Sequence, residues 1–207
     1  MEKRKKYTAI RALTHNPFLN LYEMDALTYS GKPFHYYFVS RKKAEEIEIL
    51  SKEHAADGAM IYAVLKEDTE KLVMIRQYRY PMDSYFYEFP AGLIEKGETA
   101  KQAAVRELKE ETGFDFEPYE GGNVCARKLL YMGPGFTDES NQTVFGYVSG
   151  TATKQFQEDT ESIQVCIVDK AEAKRILQEE KVTMRGAFML LHFLQTQKEN
   201  PFSFLNF

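Results

Sequence analysis

The sequence predicts an α/β protein in which a mixed β-sheet is sandwiched between helices. Short runs rich in β-branched and aromatic residues, bounded by glycine or proline, recur along the chain and indicate strands. Longer segments with helical periodicity are few, and two of them follow the last predicted strand. At 207 residues, the chain is long enough for one domain with an extension and for a full hydrophobic core.

The first predicted element is an aromatic β-hairpin near the N-terminus. Residues 18–24 and 34–39 predict its strands, and the Ser-Gly-Lys-Pro segment at residues 30–33 predicts the turn. Isolated hairpins are marginal in water, and this one has large aromatics on both faces. We therefore expect it to pack against something large, of which a partner subunit is one candidate. We assign residues 1–58 to an N-terminal strand extension and residues 59–207 to the main domain.

The main domain is expected to begin with a buried hairpin at residues 59–65 and 72–75. Four further strands are predicted at residues 85–89, 124–131, 143–148 and 163–168. Two helices are predicted after them, at residues 170–180 and 184–197. The second has an apolar stripe formed by Ala187, Leu190, Leu191 and Leu194. This order of elements favours a mixed sheet with few helices.

The helix predicted at residues 100–112 has the clearest boundaries in the chain. Thr99 is placed to cap its N-terminus with Gln102 as the capping-box partner, and Gly113 stands where a left-handed C-terminal residue belongs. One side of this helix contains Glu107, Glu110 and Glu111. Like charges at this spacing repel, and a cation would relieve the repulsion. Carboxylates of this kind suit Mg²⁺ or Mn²⁺, whereas the alternative is a solvated helix face.

Composition excludes several classes of protein. The hydrophobic share of 43% is too high for a disordered chain, and the longest apolar runs are too short to span a bilayer. With 27 Lys+Arg against 31 Asp+Glu, the chain lacks the positive footprint of a nucleic-acid binder. The first residues lack the apolar core of a signal peptide, so we expect a cytoplasmic protein. Cys125 and Cys166 have no metal-ligand spacing and are interpreted as structural thiols buried in strands.

The sequence around the acidic helix follows the pattern Gly92-x5-Glu98-x7-Arg106-Glu107-Leu-x-Glu110-Glu111-x-Gly113-Phe114. This pattern resembles the Nudix box of the Nudix hydrolases. Its glycines, glutamates and arginine occupy the positions that the box requires. The one difference is Phe114, which stands where an aliphatic residue is usual. Such a match predicts a strand, a loop and a helix that together hold a metal ion. The resemblance therefore implies a Nudix fold.

The resemblance also implies roles for the residues of the box. Glu107 and Glu111 are expected to be metal ligands, with the carbonyl of Ala91 adding a third. Glu110 is expected to be a further ligand or to hold a water. Arg106 can pair with Glu98 or Glu110 and so orient the ligand carboxylates. The chemistry implied is the Mg²⁺-dependent hydrolysis, with Mn²⁺ also possible, of a nucleoside diphosphate linked to another moiety.

The flanking segments resemble the ADP-ribose and nucleoside-diphosphate-sugar pyrophosphatases within that family. Residues 76–79, Arg-Gln-Tyr-Arg, are similar to the Gln-x-Arg of this branch, and residues 87–92, Tyr-Glu-Phe-Pro-Ala-Gly, to its Glu-x-Pro-Ala-Gly. Residues 133–139 are similar to its Ser-Pro-Gly-x-x-x-Glu loop. The match implies that Arg79 holds a phosphate, that Pro134 marks ADP-ribose specificity and that Glu139 contacts the terminal ribose. Pro134 follows Gly113 at a longer interval than is usual, which indicates a longer turn between strands.

The remaining candidate residues lie in an acidic loop and at the end of the first hairpin. By resemblance to the same branch, Glu161 is a metal ligand and Asp159 stands at the position of the general base, with Glu158 and Glu161 as rivals. Arg41 is either a ligand of the diphosphate or a plain surface arginine. Because this branch often exchanges N-terminal strands between subunits, we expect a homodimer.

Three functional hypotheses follow. The first is a pyrophosphatase that cleaves ADP-ribose or a similar sugar nucleotide to a nucleoside monophosphate and a sugar phosphate. The second is a Nudix hydrolase of another diphosphate, such as a dinucleotide or an oxidised nucleotide. The third is a sensor that binds ADP-ribose without turnover. The complete set of box carboxylates favours the enzymes over the sensor.

Overall fold

The protein was studied as a computed structural model that describes residues 6–52, 54–153, 155 and 162–207. In chain order the strands are β1 (Tyr7–Ala12), β2 (Asn20–Leu27), β3 (Pro33–Ser40), β4 (Gly58–Leu65), β5 (Leu72–Arg79), β6 (Ser84–Glu88), β7 (Ala91–Leu93), β8 (Asp115–Pro118), β9 (Leu130–Tyr131), β10 (Ser140–Ser149) and β11 (Ile163–Val168). The helices are α1 (Glu48–Ser51), α2 (Ala100–Thr112), α3 (Lys170–Glu179) and α4 (Met184–Gln195). The predicted α/β class and its mixed sheet are therefore confirmed.

The chain divides into two compact units. The first comprises Met1–Asp57 and Leu129–Asn141, and the second comprises Gly58–Lys128 and Gln142–Phe207. Sequence analysis assigned residues 129–141 to the main domain, whereas in the structure they pack with the N-terminal segment. The reason is visible in the hydrogen bonds, since the backbone N–H of Val39 donates to the carbonyl of Phe136 at 2.8 Å.

The first unit contains a three-stranded antiparallel sheet in the order β1-β2-β3. The predicted hairpin is confirmed as β2 and β3, which pair from Asn20 with Ser40 to Leu27 with Pro33. Sequence analysis missed β1, because its six residues lie directly behind a run of charges and alternate only weakly. A small core forms where Tyr22 stacks on Phe38 at 5.4 Å between ring centroids.

The second unit is built on a sheet in the order β11-β5-β4-β10-β8, with β6 paired to β5 and β7 to β4. The pairs of β4 with β5 and of β5 with β6 and β11 are antiparallel. Strands β4 and β10 run in the same direction, because backbone hydrogen bonds join Asp57 to Ser140 before them and Lys66 to Val148 near their ends. The sheet is therefore mixed.

Helices cover both faces of this sheet. Alternate residues of β4 point to opposite faces, and nearly the whole strand is buried. On one face Met60, Tyr62 and Val64 join a core with residues of α3, α4 and the C-terminal segment. On the other face Ala59, Ile61 and Ala63 pack with residues of α2. Helix α2 is thus anchored by its apolar side, which leaves its carboxylate side for other uses.

Two features of the second unit differ from expectation. Residues 124–127 form a 3-10 helix rather than a strand, because the side chain of Asn123 accepts a hydrogen bond from the backbone N–H of Cys125 and starts a tight turn. The prediction of two thiols buried in strands is therefore wrong for Cys125, which is exposed, and only partly right for Cys166, which lies half-buried in β11.

Helix α4 buries part of the predicted stripe together with residues outside it. Its buried residues are Gly186, Leu190 and Phe193, whereas Leu191 of the predicted stripe is 50% exposed. Phe193, which is not part of the stripe, is fully buried, and Leu190 and Leu194 of the stripe pack in the same core. None of the described helices is long and apolar enough to cross a bilayer.

Candidate active site

Helix α2 begins and ends at the residues that the sequence predicts. The backbone N–H of Gln102 donates to Thr99 Oγ1 at 3.3 Å, and the side-chain oxygen of Gln102 accepts from the backbone N–H of Thr99 at 2.9 Å. This reciprocal pair satisfies two otherwise unpaired donors at the helix start. At the other end Gly113 has φ of 81° and takes the left-handed conformation that glycine adopts without strain. The carboxylates of α2 are therefore held on a helix with two defined ends.

Gly92 makes room for the first of these carboxylates. It lies in β7, and a Cβ atom placed on it would stand 1.8 Å from the Cδ atom of Glu107. No side chain larger than hydrogen fits there while Glu107 keeps its position. The glycine of the box is thus required by a close approach of backbone and carboxylate rather than by an unusual backbone angle.

Glu111 lies one helical turn further along and is 3% exposed. The backbone N–H of Ala91 donates to its Oε2 at 3.3 Å. A buried carboxylate is costly in free energy unless hydrogen bonds or cations compensate it. Glu107, Glu111 and Ala91, the three predicted metal-binding positions within the described residues, therefore lie where β7 meets α2.

Arg106 connects the carboxylates of the box. Its Nε and Nη2 donate to Glu98 at 3.0 Å each, and its Nη1 donates to Glu107 at 2.8 Å and to Glu110 at 3.1 Å. Arg106 also donates to the carbonyl of Leu93. The hydrogen bonds from Arg106, with one from the backbone N–H of Glu95, lower the pKa of Glu98 to about 2. Both pairings expected from sequence, to Glu98 and to Glu110, are present together.

The carboxylate and carbonyl oxygens where β7 meets α2 suit a hard divalent cation. Carboxylate and carbonyl oxygens are the ligands that Mg²⁺ takes, usually with several waters completing its shell. Among the described residues, no three acidic, histidine or cysteine side chains converge closely enough to hold a metal by themselves. A shell built here from Glu107, Glu111 and the Ala91 carbonyl thus needs oxygens from other sources. Mg²⁺ accepts water and phosphate in this role.

Arg79, the predicted phosphate ligand, is held by a buried carboxylate. Its Nε donates to Glu88 Oε1 at 2.6 Å and its Nη2 to Oε2 at 3.0 Å. The side chain of Arg79 is 43% exposed, whereas that of Glu88 is 3% exposed. Sequence analysis quoted Glu88 within the Glu-Phe-Pro-Ala-Gly segment without giving it a role. The signal was present, since a charged residue on a strand that is otherwise aromatic and buried needs a partner.

The first unit brings together the other predicted substrate ligands. Arg41 Nε lies 3.3 Å from Glu139 Oε2. The segment just before Glu139 is a tight turn in which the backbone N–H groups of Phe136 and Thr137 both donate to the Gly133 carbonyl at 2.9 Å. The hydroxyl of Tyr36 donates to the carbonyl of Gly135, next to Pro134. The predicted Arg41, Pro134 and Glu139 therefore belong to one local structure.

The acidic loop predicted to complete the site falls outside the part of the chain that the structure describes. Glu161, Asp159 and their rival Glu158 all belong to this segment. The described chain resumes just before β11, where the backbone N–H of Tyr78 donates to the carbonyl of Ser162 at 3.1 Å. Their roles stay predictions.

The fold and the acidic helix together define a class of protein. A solved structure described as an ADP compounds hydrolase aligns with 92% of this chain and 94% of its own, with a TM-score of 0.67 and 21% identity. At this identity the match concerns the fold. This chain therefore shares the overall fold of that structure.

The chain belongs to the Nudix family, since the model of the NUDIX domain matches residues 54–188. A Caenorhabditis elegans protein named as a nudix hydrolase is 43% identical over 125 residues, which are 58% of this chain and 54% of that protein. The ADP-sugar pyrophosphatase of Mus musculus is 38% identical over 98 residues, or 46% of this chain and 43% of that enzyme. The chain thus matches about half the length of these relatives. The resemblance to Nudix hydrolases of the ADP-ribose and ADP-sugar branch is confirmed.

Proposed function

We propose that the protein hydrolyses the pyrophosphate bond of ADP-ribose or a related nucleoside diphosphate sugar, with Mg²⁺ as cofactor. The products are a nucleoside monophosphate and a sugar phosphate. The observation that supports this most directly is the packing of the Glu107 carboxylate against Gly92, beside the buried Glu111 and the backbone of Ala91. The names of the relatives, ADP-sugar pyrophosphatase among them, support the substrate class.

In this proposal Glu107, Glu111 and the Ala91 carbonyl hold the metal. When bound, Mg²⁺ neutralises the charge of the diphosphate and favours attack by water on phosphorus. Arg106 keeps the carboxylates in orientation through its bonds to Glu98, Glu107 and Glu110. Glu110 serves as a further ligand or holds a water. Glu161 completes the ligand set and Asp159 accepts the proton of the attacking water, as the family resemblance implies.

The substrate is proposed to be recognised at two points. Arg79 contacts the diphosphate through its guanidinium, whose planar fork suits phosphate oxygens. Glu139 contacts hydroxyl groups of the terminal ribose, and Arg41, which pairs with it, contacts the diphosphate. Pro134 shapes the loop that presents Glu139. We further propose a homodimer formed through the N-terminal strands and a cytoplasmic location, to which the free thiols Cys125 and Cys166 are suited.

A substrate panel tests this function. Release of nucleoside monophosphate is measured with Mg²⁺ for ADP-ribose, ADP-glucose, GDP-mannose, NADH and a diadenosine polyphosphate. Turnover of ADP-ribose or ADP-glucose that Glu111→Gln lowers by at least about 100-fold is the expected result, since the variant removes a ligand charge and keeps the shape. Preference for the dinucleotides would favour the second hypothesis. Tight binding of ADP-ribose without turnover of any compound would contradict the enzyme and leave the sensor.

A further inference from the structure

Glu88 is a buried carboxylate to which neither the sequence pattern nor the proposed reaction gives a role. It ends β6 and is 2% exposed. Burial of a charge is costly unless cations and hydrogen bonds compensate it. Here the compensation comes from two arginines on two different elements, Arg79 in β5 and Arg185 in α4.

The bond between Glu88 and Arg79 fixes the plane of a guanidinium. Two parallel N–H···O bonds, of 2.6 Å and 3.0 Å, join the Nε and Nη2 of Arg79 to the two carboxylate oxygens. A bidentate pair of this kind defines orientation as well as energy. Glu88 therefore determines the direction in which the Nη1 side of the Arg79 guanidinium points.

Arg185 approaches the same carboxylate from α4. Its Nη2 lies 3.8 Å from Glu88 Oε2, and its side chain is 27% exposed. Arg185 is in the first turn of a helix capped by Thr183, where the helix dipole disfavours a cation. The negative charge of Glu88 offsets this unfavourable position. Within this trio two guanidinium groups share one carboxylate.

We propose that Glu88 is a positioning residue that orients Arg79 toward the diphosphate of the substrate, with Arg185 as a second cation at Glu88 Oε2. The inference rests on the proposed function, because the anion that Arg79 binds is taken to be the diphosphate of a nucleoside diphosphate sugar. The role assigned to Glu88 is indirect, since it acts on the substrate through Arg79.

An alternative role for Glu88 leads to the opposite prediction for the affinity of the site for an anion. If Glu88 served only to neutralise its two arginines, its replacement by glutamine would leave more positive charge at the site and bind an anion more tightly. If Glu88 orients Arg79, the same replacement weakens binding despite the added positive charge, because a glutamine amide accepts one of the two bonds and not the other. The direction of the change therefore separates the two roles.

The test compares Glu88→Gln with the wild type. The KM for ADP-ribose should rise about tenfold while kcat changes less than about threefold, since the lost contact is made to the bound substrate and not only in the transition state. The Kd of inorganic pyrophosphate, measured by calorimetry without added metal, should rise in parallel. In an Arg79→Lys background, which has no planar fork, Glu88→Gln should add little to either constant.

Glu172→Gln is the matched control. Arg175 is bound to Glu172 by a similar bidentate pair, with distances of 2.9 Å and 2.7 Å, on α3. This variant should leave KM and the pyrophosphate Kd unchanged. If Glu88→Gln does not fold, Arg185→Gln serves instead, with a smaller rise in both constants expected. An unchanged or lowered pyrophosphate Kd in the Glu88 or Arg185 variant would overturn the positioning role.

The pyrophosphate measurement also keeps this inference separate from the proposed function. A wild type that binds pyrophosphate but hydrolyses no sugar nucleotide would contradict the function, and the Kd values of the variants would still decide the role of Glu88. A wild type that does not bind pyrophosphate would overturn the inference, because Arg79 would then not be part of an anion site.

Discussion

Gly92 is a position at which an added side chain would displace a proposed metal ligand. Gly92→Ala places a Cβ atom 1.8 Å from the Cδ atom of Glu107, so the carboxylate must move by more than an atomic radius. We expect kcat to fall by at least about 100-fold, since misplacement of a metal ligand by about 1 Å has this effect. Steady-state kinetics with Mg²⁺ over a range of concentrations measures the loss.

Gly135→Ala is a suitable comparison for Gly92→Ala. The position where its Cβ would lie has no atom within 4 Å, and its φ is not in the left-handed region. The substitution therefore measures the general effect of replacing a glycine. If Gly92→Ala kept the kcat of the wild type, the carboxylate of Glu107 would not act as a ligand from its present position.

Glu98 makes the stability of the protein depend on pH in the acid range. Hydrogen bonds from Arg106, foremost, and from the backbone N–H of Glu95 lower its pKa from 4.5 to about 2. A carboxyl whose pKa is lower in the folded chain stabilises the fold above its unfolded pKa and loses this effect as the pH falls through the folded value. Glu98 thus contributes at pH 6, and the contribution disappears between pH 4.5 and about 2.

The variant Glu98→Gln tests this dependence. Thermal unfolding of wild type and variant should differ at pH 6, with the wild type more stable, and the difference should shrink as the pH falls below 4.5. Glu117→Gln removes an exposed carboxylate on β8 that pairs with Lys66, and so shows the effect of losing an exposed ion pair. A difference in Tm that stays constant from pH 6 to pH 2.5 would contradict the assignment.

Single residues also show where sequence reasoning succeeds and where it does not. The spacing of the box predicts that Arg106 pairs with Glu98 or Glu110, because these are neighbours along a helix or its cap. The pairing of Glu88 with Arg185 joins β6 to α4, two elements that are distant in sequence. No local pattern defines such a contact, since it depends on how β5, β6 and α4 pack.

At the scale of elements, α2 owes its boundaries to local chemistry. Thr99→Ala removes the side chain that accepts from Gln102 N, and loss of such a cap lowers the free energy of unfolding by about 1 kcal/mol. For a chain of this size the Tm should fall by about 2–4 °C. We expect kcat to stay within about twofold, since Glu107 and Glu111 lie two to three turns away from the cap.

Asp169→Ala is the counterpart on α3. The side chain of Asp169 accepts a hydrogen bond from the backbone N–H of Glu172 at 2.8 Å, and α3 contains none of the proposed ligands. Both variants should therefore lose similar stability in denaturant or thermal unfolding. A Thr99→Ala protein as stable as the wild type would show that tertiary packing alone defines the start of α2.

Elements with strong local signals were predicted well. The bounds of α2 and β11 agree with the structure because caps and alternation define them. Of the predicted strand 124–131 only Leu130–Tyr131 is a strand, because Asn123 starts a 3-10 turn although the apolar residues that follow it satisfy the strand pattern. In α4, the predicted stripe is right for Leu190 and Leu194, but it includes the exposed Leu191 and misses the buried Phe193.

At the scale of the whole molecule, the first unit exposes many large apolar side chains. These include Leu13, Phe18, Leu19, Leu21, Tyr29, Phe34 and Tyr37. Exposed apolar surface of this extent favours association. We expect the protein to be a homodimer in solution, and sedimentation analysis at several concentrations measures its mass.

The variant Leu13→Glu, Leu21→Glu tests where the dimer forms. The two residues are neighbours across the sheet, since the backbone N–H of Leu13 donates to the carbonyl of Leu21 at 2.8 Å, and both side chains are more than a third exposed. Introduced charges should shift the protein to the monomer. Val124→Glu, at a residue of the second unit that is 79% exposed, should leave the mass unchanged. A dimer that persists in the double variant would exclude this end of the sheet as its interface.

The C-terminal segment affects the order in which the protein can fold during synthesis. Phe202 and Leu205 are buried among Tyr62, Phe145 and Tyr119, so the core of the second unit includes residues that the ribosome adds after all the strands. The first unit likewise requires Leu129–Asn141, which follow much of the second unit in the chain. Translation proceeds from the N-terminus at about 5–20 residues per second. Neither unit can therefore complete its hydrophobic core before its last segment has been synthesised. The strands of each unit therefore stay without part of their apolar packing until these later segments have been synthesised.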